Sequence, residues 1–89
     1  MEVKLIKVFV KKNCEKCDVF KETILPKIKE KWKVKTYDLG TPDGLAESVY
    51  FNIMFTPTVI VEENGKEVKR YNSILEAERD LVILTKENE

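Results

Sequence analysis

The stretch Asn13-Cys14-Glu15-Lys16-Cys17 holds both cysteines of a chain of 89 residues. Before it runs Val3-Lys4-Leu5-Ile6-Lys7-Val8-Phe9-Val10, rich in β-branched and aromatic residues with little alternation. Such a run suits a central strand buried on both faces. Lys11-Lys12-Asn13 makes a polar loop, and an amphipathic helix is expected from about Glu15 to Trp32. Cys17, Phe20, Ile24 and Ile28 fall on one stripe of it, at steps of three and four. Two thiols three positions apart at a helix start can face each other across one turn. They can close a small disulfide ring or hold a metal as thiolates.

The pattern extends in both directions from this junction. Pro26 lacks a backbone donor and should kink or interrupt the first helix near Thr23 to Leu25. Val34 to Leu39 reads as a second strand, parallel to the first because a helix joins them. Thr41-Pro42-Asp43 opens a second helix: a capping hydroxyl, a proline in the first turn, an acid at the positive end. Leu45, Val49 and Ile53 are expected to supply part of its buried stripe, and Gly44 with the β-branched residues should keep it short. Thr58 to Val61 reads as a third strand. Asn64-Gly65 is a hairpin turn, since both residue types tolerate positive φ, and Glu67 to Tyr71 returns antiparallel. Ser73-Ile74-Leu75-Glu76 is a capping box. A last helix to about Lys86 should bury Ile74, Ala77, Leu81 and Leu84. The order β-α-β-α-β-β-α predicts an α/β fold: one domain over residues 1–89, a four-stranded mixed sheet flanked by helices.

Composition narrows the function. Sixteen basic and sixteen acidic residues are spread evenly and cancel, so no basic face is expected for nucleic acid. The apolar runs are short and lie between lysines, so no membrane span is expected. Charges in Met1-Glu2-Val3-Lys4-Leu5-Ile6-Lys7 break the apolar core that a signal peptide needs, and a cytoplasmic location is expected. In a reducing compartment a lone cysteine pair points to catalysis or metal binding rather than to a structural staple. Histidine is absent, which excludes every mechanism using a histidine base, nucleophile or ligand. The abundance of lysine and glutamate, with no glutamine, fits a heat-adapted organism. The balanced surface predicts a monomer.

A cysteine pair at the first strand–helix junction, followed much later by Phe51-Asn52-Ile53-Met54-Phe55-Thr56-Pro57-Thr58, resembles the thioredoxin and glutaredoxin superfamily. The likeness spans nearly the whole chain. In thioredoxins an X-Pro-Thr segment opens the third strand, its proline follows a cis peptide bond, and it packs beside the disulfide. Thr56-Pro57-Thr58 holds that place here, and Asn64-Gly65 follows at a thioredoxin-like distance. Lys11 matches a glutaredoxin lysine three positions before the nucleophile. The chain differs at Asn13, where thioredoxins carry tryptophan, at Glu15-Lys16, where they carry Gly-Pro, and at Val8, where they carry a buried aspartate. Arg70-Tyr71-Asn72-Ser73 stands where glutaredoxins grip glutathione with a Gly-Gly and acidic segment.

The resemblance implies a thiol–disulfide oxidoreductase that reduces protein disulfides and needs no cofactor beyond its own cysteine pair. Cys14, just ahead of the helix, would be the nucleophile, because helix N-termini bring a thiol pKa down from about 8.5. Cys17, one turn in and more buried, would resolve the mixed disulfide. Lys11, Lys12 and Lys16 would favour the Cys14 thiolate and Glu15 oppose it. Thr56 and Pro57, with Lys11, would bind the substrate segment, which pairs with the Thr56 main chain. Met54 and Phe55 would form an apolar rim around the sulfurs. Partners would be protein disulfides and a thioredoxin-reductase-like or thiol electron donor. Two other readings use the same residues. One is a metal or iron–sulfur module that completes its ligand set by pairing two chains. The other is a redox-inert interaction domain.

Overall fold

The computed structural model describes residues 4–83. Its elements are β1 (Lys4–Val10), α1 (Glu15–Thr23), α2 (Leu25–Lys31), β2 (Val34–Asp38), α3 (Pro42–Tyr50), β3 (Thr58–Glu63), β4 (Lys66–Tyr71), α4 (Ile74–Glu78) and a π-helical turn (Arg79–Ile83). The expected order holds, with the first helix in two pieces. Val3, Leu84 and Lys86 lie outside the described residues.

The strands form one sheet in the order β2-β1-β3-β4. β1 runs parallel to β2 and antiparallel to β3, and β3 pairs antiparallel with β4. Alternation along β1 and β3 assigns each face its core. Ile6, Val8, Val10, Val59 and Val61 pack with Cys17, Phe20, Ile24 and Ile28 of the first helical segment and with Ala77 and Leu81. Phe9 and Ile60 face the other way, onto Tyr37 and Phe51. Fully burying one such side chain contributes about 1.5–3 kcal/mol, so two-sided burial of β1 and β3 dominates the sheet's stability.

Pro26 acts as expected. A continued α1 would need an N–H at position 26 directed to the Glu22 carbonyl, and proline has none. The helix therefore closes with Ile24 N–H donating to Phe20 O at 3.0 Å and restarts with Ile28 N–H donating to Ile24 O at 3.1 Å. Pro26 falls in the first turn of the new helix, where a missing donor costs nothing. Thr41 caps α3, its Oγ1 accepting from Gly44 N–H at 3.0 Å. Asn64 (φ 53°) and Gly65 (φ 84°) are both left-handed, the backbone of a two-residue hairpin. Ser73 caps α4, accepting from Glu76 N–H at 3.4 Å.

The expected stripe of α3 is corrected. Leu45 and Val49 point outward, 55% and 73% exposed, and Ile53 is half-buried. Gly44 and Ser48 face the molecule instead. The reason is close approach. A β-carbon at Gly44 would overlap the Asp38 carbonyl oxygen. The helix thus meets the end of β2 through its smallest residues, rotated one position from the apolar stripe.

A small charged cluster lies on the α3 side of the sheet. Lys7 Nζ lies 2.9 Å from Glu47 Oε1, 3.4 Å from Glu62 Oε1 and 4.8 Å from the centre of the Phe51 ring. Burial pulls its pKa down, but the Glu47 hydrogen bond and the Glu62 charge outweigh burial and leave it raised.

Candidate functional site

Asn13 turns the chain out of β1 with φ 59°, a left-handed conformation that asparagine tolerates. Cys14 then caps α1. Its backbone is extended, and its sulfur accepts the Cys17 N–H at 3.1 Å. A side-chain acceptor at this position takes up one of the helix's unpaired donors. Cys17, one turn on, is fully buried against the β1 core. The two residues form a disulfide with Cα atoms 5.2 Å apart. Cys14 is half-buried, so one sulfur of the pair is reachable from outside and the other is not.

The segment before β3 covers the accessible sulfur. The Thr56–Pro57 peptide is cis. The carbonyl and hydroxyl oxygens of Thr56 each lie 3.7 Å from Cys14 Sγ, across 42 residues of sequence. Pro57 is buried and Thr56 half-buried. Thr58 Oγ1 donates to the Phe55 carbonyl and lies 3.2 Å from Asn72 Oδ1, which ties the segment to the end of β4.

A cleft of about 380 Å³ opens at Cys14. Lys11, Met54, Phe55 and Thr56 line it, as do Lys16, Leu39, Ile53 and Asn72. Of the residues marked out in the sequence, Lys11, Cys14 and Thr56 line this opening, while Cys17 and Pro57 are buried next to Cys14 and Thr56. Met54 and Phe55 are 72% and 64% exposed, so they form its rim rather than core. Lys12 in the loop and Glu15 at the start of α1 are exposed but do not line the cleft. Leu39, Ile53 and Asn72 carry no site role in the sequence reading. Leu39 and Ile53 read as ordinary core positions, and Asn72 as a loop residue before a cap. Nothing local in the sequence distinguishes them, because their neighbours are remote in the chain.

Val8, fully buried, sits in the same packed cluster as Cys17 and offers no proton acceptor. Arg70, given no role from the sequence, holds the end of α3, donating to Phe51 O at 2.6 Å and pairing with Glu67 at 2.8 Å. Tyr71 is buried, and that burial, helped by the Asp80 carboxylate, pushes its phenol up to about 12. Among the described residues no group of three or more His, Cys, Asp or Glu side chains gathers that could hold a metal ion. None of the described helices is long and apolar enough to cross a membrane.

No protein-family model and no curated protein sequence matches the chain. Solved structures do. Thioredoxin-2 of the malaria parasite, described as a component of its protein secretion machinery, aligns over 97% of this chain and 84% of its own, at 20% identity and a TM-score of 0.74. Thioredoxin 1 from the thermophilic eubacterium Thermosipho africanus TCF52B aligns over 96% of this chain and 99% of its own, at 20% identity and a TM-score of 0.68. Mitochondrial thioredoxin 3 from Saccharomyces cerevisiae, in its oxidized form, covers 88% and 76% at 13% identity with a TM-score of 0.72. At such identities it is the path of the backbone that is held in common, and the chain has the thioredoxin fold.

Proposed function

We propose that this chain is a thiol–disulfide oxidoreductase that reduces protein disulfides in the cytoplasm, working as a monomer. One observation carries the reading: an accessible sulfur, Cys14, caps a helix beside a buried sulfur, Cys17, under the oxygens of Thr56. An N–H aimed at Cys14 and the positive end of α1 favour negative charge on that sulfur.

The Cys14 thiolate attacks one sulfur of a substrate disulfide. A Cys14–substrate disulfide forms and the other substrate sulfur departs as thiolate. Cys17 then loses its proton and attacks Cys14 Sγ, and the second substrate thiolate leaves. Two electrons have passed to the substrate, and the Cys14–Cys17 disulfide remains. With Val8 where an acid could stand, the departing substrate thiolate is the acceptor at hand for the Cys17 proton. The substrate segment lies along the Thr56 main chain, Pro57 keeps that segment free of a competing donor, and Lys11 borders the opening. A thioredoxin-reductase-like enzyme or a thiol donor supplies two electrons, is itself oxidised, and returns the pair to the dithiol.

Two measurements test this. The Cys17→Ser protein, given disulfide substrates, should accumulate a mixed disulfide through Cys14 that mass spectrometry detects. The unaltered protein should turn over insulin disulfides with a reductase or a thiol as donor. Absence of any Cys14 adduct across a range of disulfides would refute the proposal. So would stoichiometric metal, with shielded thiols, in protein purified under reducing conditions.

A further inference from the structure

A second cleft, of about 290 Å³, lies beside the first and is bordered by Pro57, Ser73, Ile74 and Leu75. Lys16 and Asn72 line both. Apolar side chains thus border both clefts: Met54 and Phe55 the one that holds Cys14, and Leu75, 75% exposed, its neighbour. Lys16 is common to the two.

The charge of this surface departs from that of the chain. Sixteen cations balance sixteen anions overall. Yet the residues lining the two clefts include Lys11 and Lys16 and no aspartate or glutamate. Among the described residues neither lysine forms an ion pair. Lys12, Glu15 and Asp18, the other charges nearest in sequence, line neither cleft. An approaching segment therefore meets unpaired positive charge beside Cys14, and apolar surface in both clefts.

Resting on the redox reading above, we infer that the substrate disulfide is presented on an extended protein segment with apolar residues flanking the reacting cysteine and a carboxylate within reach of Lys16. Lys16 is then a specificity-determining residue, with Lys11 in support. Apolar side chains of the substrate cover Phe55 and Leu75, and the carboxylate selects which segments bind.

The test uses three disulfide-linked peptides of one apolar sequence that differ only in Glu, Gln or Lys beside the cysteine. At low ionic strength kcat/KM should fall in that order, by about threefold per step, which is the scale of an exposed charge pair. High salt should compress the order to within about twofold. Lys16→Glu should invert it, mainly through KM. The ratio between peptides cancels any effect of this substitution on the reactivity of Cys14 itself. Oxidised glutathione, which carries carboxylates without apolar flanks, should be a poorer substrate than the Glu peptide. Equal turnover of all three peptides would overturn the inference and leave the redox reading standing. So would an unchanged order in Lys16→Glu, or glutathione outpacing the Glu peptide. Turnover of none would take both readings down.

Discussion

Replacing Gly44 with alanine in α3 tests the packing that corrects the expected stripe. Local propensity favours the change, since alanine is better than glycine inside a helix by about 1 kcal/mol. Tertiary packing opposes it. The new β-carbon would overlap the Asp38 carbonyl oxygen, and would stand 2.5 Å from its carbon and 2.9 Å from Thr41 Oγ1. The first two are backbone atoms at the end of β2 and cannot rotate away. The helix start must lift, at an overpacking cost of about 1–3 kcal/mol. That carbonyl also accepts Thr41 Oγ1–H at 2.8 Å and Thr41 N–H at 3.0 Å. Weakening these bonds adds about 1–2 kcal/mol. The net expectation for Gly44→Ala is a loss of about 2–3 kcal/mol, or about 10–20 °C in Tm for a domain of this size. Urea unfolding followed by Trp32 fluorescence and by circular dichroism would measure it, with the m-value unchanged. A variant as stable as the original, or more so, would show that α3 does not meet β2 through Gly44, and the account of the exposed Leu45 and Val49 would fail with it.

Other consequences are open to similar measurement. Tyr71 is held protonated in the fold to about pH 12, against 10 when exposed, by burial first and Asp80 second. Its contribution is complete below pH 10 and is lost as pH rises toward 12, an alkaline destabilisation of about 2 kcal/mol that Tyr71→Phe should remove from the pH dependence of the urea midpoint. Identical slopes for the two proteins over that window would refute the burial of the phenol. Thr41→Ala removes the acceptor for Gly44 N–H and should cost about 1 kcal/mol in urea unfolding. Phe55→Ser, at a side chain 64% exposed, should change stability by no more than about 0.5 kcal/mol while raising KM for insulin severalfold. A drop in stability of about 2 kcal/mol or more would mean that Phe55 is core and not rim.

The chain's sequence alone determined what is decided within a few residues. The split at Pro26 follows from a missing donor, the hairpin at Asn64-Gly65 from tolerance of positive φ, and the starts at Thr41 and Ser73 from side-chain oxygens within reach of helix N–H groups. Cys14 and Cys17 had to be neighbours once a helix began between them. The tertiary structure decided what depends on contacts between distant segments. α3 buries Gly44 and Ser48 because two backbones approach there more closely than side chains permit, whereas hydrophobic spacing alone favours Leu45 and Val49. By itself Pro57 reads as an ordinary turn proline; the cysteine pair and the family resemblance suggested the site, and the fold set Thr56 against Cys14. Lysines near Cys14 were legible in the sequence, but that Lys11 and Lys16 line the clefts while Glu15 does not was decided by the fold. Hydrogen bonds and dihedral preferences act locally and leave their mark in short stretches. Burial and electrostatic potential arise from residues far apart in the chain, so they exist only once it is folded.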